Sequence, residues 1–336
     1  MQADSEVFFP AVKRSIRKIV DIAPADAAAR TWVARTPGFV RPYLRLMRLD
    51  RPIGIWLLFW PCIFGLLLSD LAEPQTRSWA DDLKLAALFA IGATVMRGAG
   101  CTYNDIVDRD LDARVARTRN RPIPSGQVSL RNAWLFIALQ GAAGLAVLLQ
   151  LNRFSIVLSA CSLALIAIYP FLKRVTWWPQ AWLGLTFNWG ALVGFAAKTG
   201  HLSPRAFLLY AACLFWTLGY DTIYAQQDKE DDALAGVKST ARLFGRHSKS
   251  WVTLFYLIAL LLLIGAARGI APKPAFAVFV FGVGGHFLWQ ISRFEIHSSS
   301  ACLAVFRANR DAGAVIALGF LYAAWIQPLF QALRLS

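Results

Sequence analysis

Nine apolar windows recur along this 336-residue chain, at about residues 52–71, 83–101, 133–151, 154–172, 180–197, 205–224, 251–268, 274–291 and 313–330. An α-helix rises about 1.5 Å per residue, so each window is long enough to cross the hydrocarbon core of a bilayer. With no water in that core to satisfy the backbone, helices are the natural answer for runs of this length. The expected fold is therefore all-α, a polytopic membrane protein with nine transmembrane helices. Composition agrees: 57% hydrophobic residues, 23 Phe and 13 Trp against only 16% charged exclude the pair of soluble domains that the length alone would permit.

A net charge of +15 raises the question of nucleic acid. Its placement answers it, because the basic residues concentrate in alternate connections. The N-terminal stretch and every second loop carry 26 Lys and Arg, the opposite side carries eight, and Arg97 alone lies inside a helix. The positive-inside rule then puts the N-terminus on the cytoplasmic or matrix side and the C-terminus outside. No nucleic-acid partner is expected; the lipid bilayer is. The expected location is the cell inner membrane, with the mitochondrial inner membrane as the alternative.

Acids are expensive beside hydrocarbon and ask for a function. Nine of the 20 fall in two stretches: Asp105, Asp108, Asp110 and Asp112, then Asp221, Asp228, Glu230, Asp231 and Asp232. Both sets lie on the positive side. On a helix, Asp105, Asp108 and Asp112 share one face, as do Asp221, Asp228 and Asp232. Solvation of a helix end would account for one such set, but two on the same side favour a pair of facing metal sites. Open, carboxylate-rich helix ends suit Mg2+, which is held by a few carboxylates together with phosphate oxygens. An EF-hand beginning at Asp108 fails, with Ala113 where glycine and Arg119 where glutamate are required. Asp105 and Asp112 match Asp221 and Asp228 at a constant offset of 116, which reads as a weak internal duplication closing around a central cavity.

Cations accompany the acids: Arg114, Arg117, Arg119 and Arg121 after the first set, Lys173 and Arg174 at the end of the fourth segment, Lys238 and Arg242 after the second set. The positive-inside bias explains any one of them, and neutralisation of a diphosphate explains them together. Cys62, Cys101, Cys161, Cys213 and Cys302 are scattered singly, and the four His show no ligand spacing, so zinc, haem and disulfides have no support. Gly98, Gly100, Gly141, Gly144, Gly190 and Gly194 are expected to let helices pack closely. Pro52, Pro61, Pro170 and Pro179 mark helix starts, kinks or ends. Residues 1–44 are set apart as an N-terminal interfacial segment, where Val12, Ile16, Ile19 and Val20 form one face of a surface helix. Asp4, Glu6, Asp21 and Asp26 argue against a mitochondrial transit peptide there.

Several long motifs, in order, resemble one family. They are Arg48-Leu-Asp-Arg-Pro-Ile-Gly54, Asn104 to Asp112 followed by Arg117-Thr-Arg-Asn-Arg-Pro-Ile-Pro-Ser-Gly126, Tyr169-Pro-Phe-Leu-Lys173 running on to Pro179-Gln180, and Tyr220-Asp-Thr-Ile-Tyr224 through Asp232 to Gly236-Val-Lys-Ser-Thr240. Together they resemble the UbiA superfamily of intramembrane prenyltransferases, over residues 45–336. The resemblance implies a transferase domain of nine helices around a cavity, two Mg2+ ions, and transfer of a polyprenyl group from polyprenyl diphosphate to the ring carbon ortho to the hydroxyl of 4-hydroxybenzoate. It assigns Asp105, Asp108 and Asp112 to the first metal motif, with Asn104 beside them, and Asp228 and Asp232 to the second. Tyr169 and Lys173 match a Tyr-x-x-x-Lys motif whose lysine contacts diphosphate, and Asp221 matches an acid near the aromatic acceptor. Arg48, Arg121 and Arg174 look like cations at the cavity mouth, for diphosphate or for the acceptor carboxylate. A cation-coupled transporter is the competing class, but both acid sets lie at one membrane face instead of at the midplane.

Overall fold

The apolar runs fold as helix, and at five of the helices the polar residue just ahead caps the start. The side chains of Ser78, Ser129, Asn152, Ser203 and Ser298 each accept the backbone N–H three residues on, satisfying a donor that the helix cannot. The computed structural model describes residues 31–114, 118–234 and 236–330, without the side chains of Pro170, Lys173, Arg174, Asp228, Asp231, Asp232 and Leu234. The proposed surface helix at residues 12–20 lies outside the described residues.

In order, the helices are α1 (Arg41–Leu46), α2 (Ile53–Ala72), α3 (Trp79–Val107), α4 (Arg109–Asp112), α5 (Leu130–Leu148), α6 (Arg153–Val175), α7 (Pro179–Phe187), α8 (Trp189–Thr199), α9 (Pro204–Ala225), α10 (Lys229–Leu234), α11 (Thr240–Phe244), α12 (Ser248–Ala267), α13 (Lys273–Arg293), α14 (Ser299–Arg307) and α15 (Asn309–Leu321). The all-helical membrane class holds, and no strand occurs among the described residues.

The count of nine needs correction. Seven helical stretches among the described residues are long and apolar enough to cross a membrane: α2, α3, α5, α9, Thr240–Ala267, α13 and Ser299–Phe330. The segment expected at 154–172 is helical within α6, and Arg153–Tyr169, its continuous run of described side chains, is apolar. The segment expected at 180–197 is broken at Asn188, which stands between α7 and α8 with φ −93° and ψ 3°. Its Nδ2 donates to Gly184 O at 2.8 Å and to Thr217 Oγ1 of α9 at 2.7 Å. An asparagine that bonds backbone and a neighbouring helix in this way competes with the regular ladder. The connection expected at 225–250 is also largely helical, built from a 3-10 turn at Gln226–Asp228, α10 and α11.

The core is centred on α9, which packs on α12, α7, α14, α8 and α2. Trp216 and Tyr220 on α9 are buried among Phe64, Phe195, Tyr256 and Phe320. Helices α2 and α8 meet backbone to backbone. A methyl group at Gly65 would strike Ala191 O, and one at Gly194 would strike Cys62 O. Gly100 and Gly141, by contrast, face open space, so they are not packing glycines. At the end of the bundle away from the acidic motifs, Lys198 of α8 pairs with Asp70 of α2 at 2.8 Å and with Asp82 of α3. Trp325 Nε1 donates to the other Asp70 oxygen at 3.1 Å. Breaking a buried pair of this kind costs about 3–5 kcal/mol, because one charge is left uncompensated.

Candidate active site

Helix α3 runs past the expected boundary at residue 101 to Val107, which carries Asn104 and Asp105 on regular helix; Asp108 follows as its C-cap and Asp112 ends α4. The three acids are all buried, Asp105 completely. Arg48 Nη2 donates to Asp105 Oδ1 at 2.6 Å. Arg121 Nη1 reaches the same oxygen at 3.4 Å and Asp112 Oδ2 at 2.8 Å. Thr118 ties the loop by donating to Asp112 O at 2.9 Å. Burial pushes the Asp112 carboxyl above its ordinary range, against the opposing pull of Arg121. Arg48 and Arg121, expected at a cavity mouth, are thus partners of the acids themselves.

One atom of this cluster stands out chemically. Asp105 Oδ2 is buried without a hydrogen-bond partner, and an unsatisfied buried carboxylate oxygen asks for a cation. Among the described residues, no three His, Cys, Asp or Glu side chains converge closely enough to hold a metal; the side chains of Asp228 and Asp232 lie outside the described ones. The donors that are described, hard carboxylate oxygens with one left bare, fit Mg2+.

Deeper in the bundle, three helices turn polar groups toward one interior face. Tyr169 of α6 is enclosed by neighbouring helices yet keeps accessible surface, and its hydroxyl is within electrostatic reach of Asp221 on α9 and of Arg97 and Asp108 on or beside α3. On α3 the positions Arg97, Gly100 and Asn104 share this face and are all partly exposed. Asp221 is partly exposed as well, unlike Asp105, its counterpart in the duplication.

Arg97 was not among the expected site residues. Its guanidinium lies 5.2 Å over the Phe187 ring, in space that any side chain at Gly54 would fill. Nε is buried without a hydrogen-bond partner, and no carboxylate pairs with Arg97 among the described residues. The signal was present in the sequence: a lone cation within an apolar run is a functional residue by default. Of the remaining expected cations, Lys238 donates to Val175 O at 3.0 Å and, with Arg242, stacks on Trp177, which secures the end of α6. Lys173 and Arg174 sit in the last turn of α6, with side chains outside the described ones.

Charges placed this deep serve binding or catalysis, because packing in a membrane does not need them. The bundle is a functional membrane protein by this criterion, and comparison with known proteins makes the class specific. The chain belongs to the UbiA prenyltransferase family, whose sequence pattern matches residues 58–312. The mitochondrial 4-hydroxybenzoate polyprenyltransferase of Rattus norvegicus is 46% identical over 297 residues, which are 88% of this chain and 78% of that protein. Its namesake in Arabidopsis thaliana is 46% identical over 286 residues, 84% of this chain and 69% of its own. A UbiA homolog from Aeropyrum pernix K1 shares the fold with a TM-score of 0.66 at 27% identity, over 80% of this chain and 96% of its own. A UbiA homolog from Archaeoglobus fulgidus bound to GPP and Mg2+ does so with a TM-score of 0.57 at 18% identity, over 82% of this chain and 99% of its own.

Proposed function

We propose that this enzyme transfers a polyprenyl group from polyprenyl diphosphate to the ring carbon ortho to the hydroxyl of 4-hydroxybenzoate, an aromatic step of ubiquinone biosynthesis. The observation that carries the reading is that the Arg97 cation, the Asp221 acid and the buried Asp108 all act electrostatically on the Tyr169 hydroxyl. A substrate with a carboxylate at one end and a phenol at the other matches those charges. The relatives that bear the 4-hydroxybenzoate name support the same acceptor.

Asp105, Asp108, Asp112, Asp228 and Asp232 are the residues that would hold Mg2+, which when bound supplies charge neutralisation for a departing diphosphate. Lys173 and Arg174, at the end of α6, add cations for the same leaving group, with Asn104 beside it. The prenyl C–O bond breaks and diphosphate leaves with the electron pair. The ring carbon then forms the new C–C bond, and its proton passes to a base. Asp221 orients the phenol or takes a proton, and Tyr169 lines the same face. The surrounding bilayer excludes water that would otherwise capture the allylic cation.

Purified protein given Mg2+, a polyprenyl diphosphate and 4-hydroxybenzoate should release diphosphate and form a 3-prenylated acid. The Asp221→Asn variant should still bind prenyl diphosphate yet transfer slowly, by about 10²-fold if it loses a general base. Equal loss of prenyl diphosphate binding would instead put Asp221 among the metal-holding acids. Absence of any prenylated product from wild type would sink the acceptor assignment.

We also place the site end of the bundle on the cytoplasmic or matrix side of an inner membrane, since 26 basic residues lie there against eight opposite. A single cysteine at Ser125, in a background without native cysteines, should react with impermeant reagents from that side only; labelling from the other side would reverse the orientation.

A further inference from the structure

We propose that Arg48 is a positioning residue, which fixes Asp105 so that Oδ2 is the oxygen presented to the site, and that it does not bind diphosphate itself. The inference rests on the reading of Asp105 as a metal-holding carboxylate. Its starting point is how the guanidinium is used. Nη2 donates to Asp105 Oδ1 at 2.6 Å, Nη1 donates to Arg45 O at 3.0 Å, and Arg48 is buried. The planar fork therefore bridges the end of α1 to the end of α3, with one prong on each. Arg121 adds a longer contact to the same Oδ1. Both contacts converge on one oxygen, and the other is the bare one.

The backbone points the same way. Arg48 has φ +57° and is the only residue other than glycine with positive φ among those described. Glycine or asparagine would occupy that turn with less strain. An arginine stands where its backbone is least comfortable, which is the pattern of a residue whose side chain the site requires. The left-handed turn between α1 and α2 is what carries the guanidinium across to α3. An arginine serving diphosphate would instead keep its fork available to substrate. Partners that hold a metal-binding carboxylate in one orientation commonly set metal affinity.

The test measures Mn2+ binding by electron paramagnetic resonance on the full chain in detergent, without substrate, alongside KM for prenyl diphosphate at saturating metal. Arg48→Lys keeps the charge but replaces the planar fork by a single nitrogen, so Mn2+ affinity should fall by about 10–100-fold with KM for prenyl diphosphate little changed. Arg48→Gly relaxes the backbone, which protects the fold, and should lose Mn2+ affinity to the same extent. Wild-type Mn2+ affinity in both variants, with a raised KM for prenyl diphosphate, would make Arg48 a substrate ligand and overturn the proposal. Wild-type affinity in Arg48→Lys with altered affinity in Arg48→Gly would reduce its role to charge and overturn it as well. Asp105→Ala separates the two levels: if that variant binds Mn2+ as wild type does, the metal reading itself fails.

Discussion

Asp105→Asn should abolish prenyl transfer at saturating Mg2+ while the protein remains inserted and folded. The substitution keeps the shape of a completely buried side chain but removes the negative charge and replaces one of the two oxygens by an amide nitrogen, so the pair that includes the partnerless oxygen is lost. A metal that neutralises charge on a leaving group is worth several kcal/mol in the transition state, so a loss of ~10³-fold or more in kcat/KM is expected. Product formation by chromatography, with size-exclusion behaviour as the check on folding, decides the matter. Asp110→Asn is the control, since the Asp110 side chain is 80% exposed and pairs with Arg109; it should cost little. Near-normal turnover of Asp105→Asn would remove this residue from the metal-holding set.

Arg97→Gln should act on the acceptor alone. The guanidinium lies within the bundle against Phe187 and Gly54, where a carboxylate partner would be desolvated along with it. Losing one side of such a pair costs about 2–5 kcal/mol, so KM for 4-hydroxybenzoate should rise by roughly 10²-fold. KM for prenyl diphosphate should stay near wild type. A phenolic acceptor without the carboxylate should be prenylated equally by wild type and variant, because it never used Arg97. If the diphosphate KM rises instead, Arg97 serves the donor and the two substrates have been placed the wrong way round.

Much of this architecture is legible in the amino-acid sequence. The long apolar runs had only helix to form. The expectation that Asp105, Asp108 and Asp112 share one face rests on helical spacing, a local property, and the end of α3 at Asp108, with Asp112 on the separate α4, interrupts that spacing. The break at Asn188 was not readable in the same way: it depends on Thr217, a residue of another helix, and no local pattern reports a partner 29 positions away. The same limit hid the pairing of Arg48 with Asp105, which spans 57 positions and needs a left-handed turn at an arginine. Arg97 was visible as an oddity, but which face of α3 it occupied became clear only with α6 and α9 in place.

The ion cluster of Lys198, Asp70 and Asp82 has a bearing on how a long-chain substrate is admitted. It fastens α2, α3 and α8 together, and through Trp325 the C-terminal helical stretch, at the end opposite the acidic motifs. Parting these helices there would strand buried carboxylates without their counter-ion, at a cost that thermal motion does not supply. The bundle is consequently knotted at one rim like the bound end of a sheaf. Any widening between these helices has to happen toward the opposite rim, where Asp105 lies in the last turn of α3.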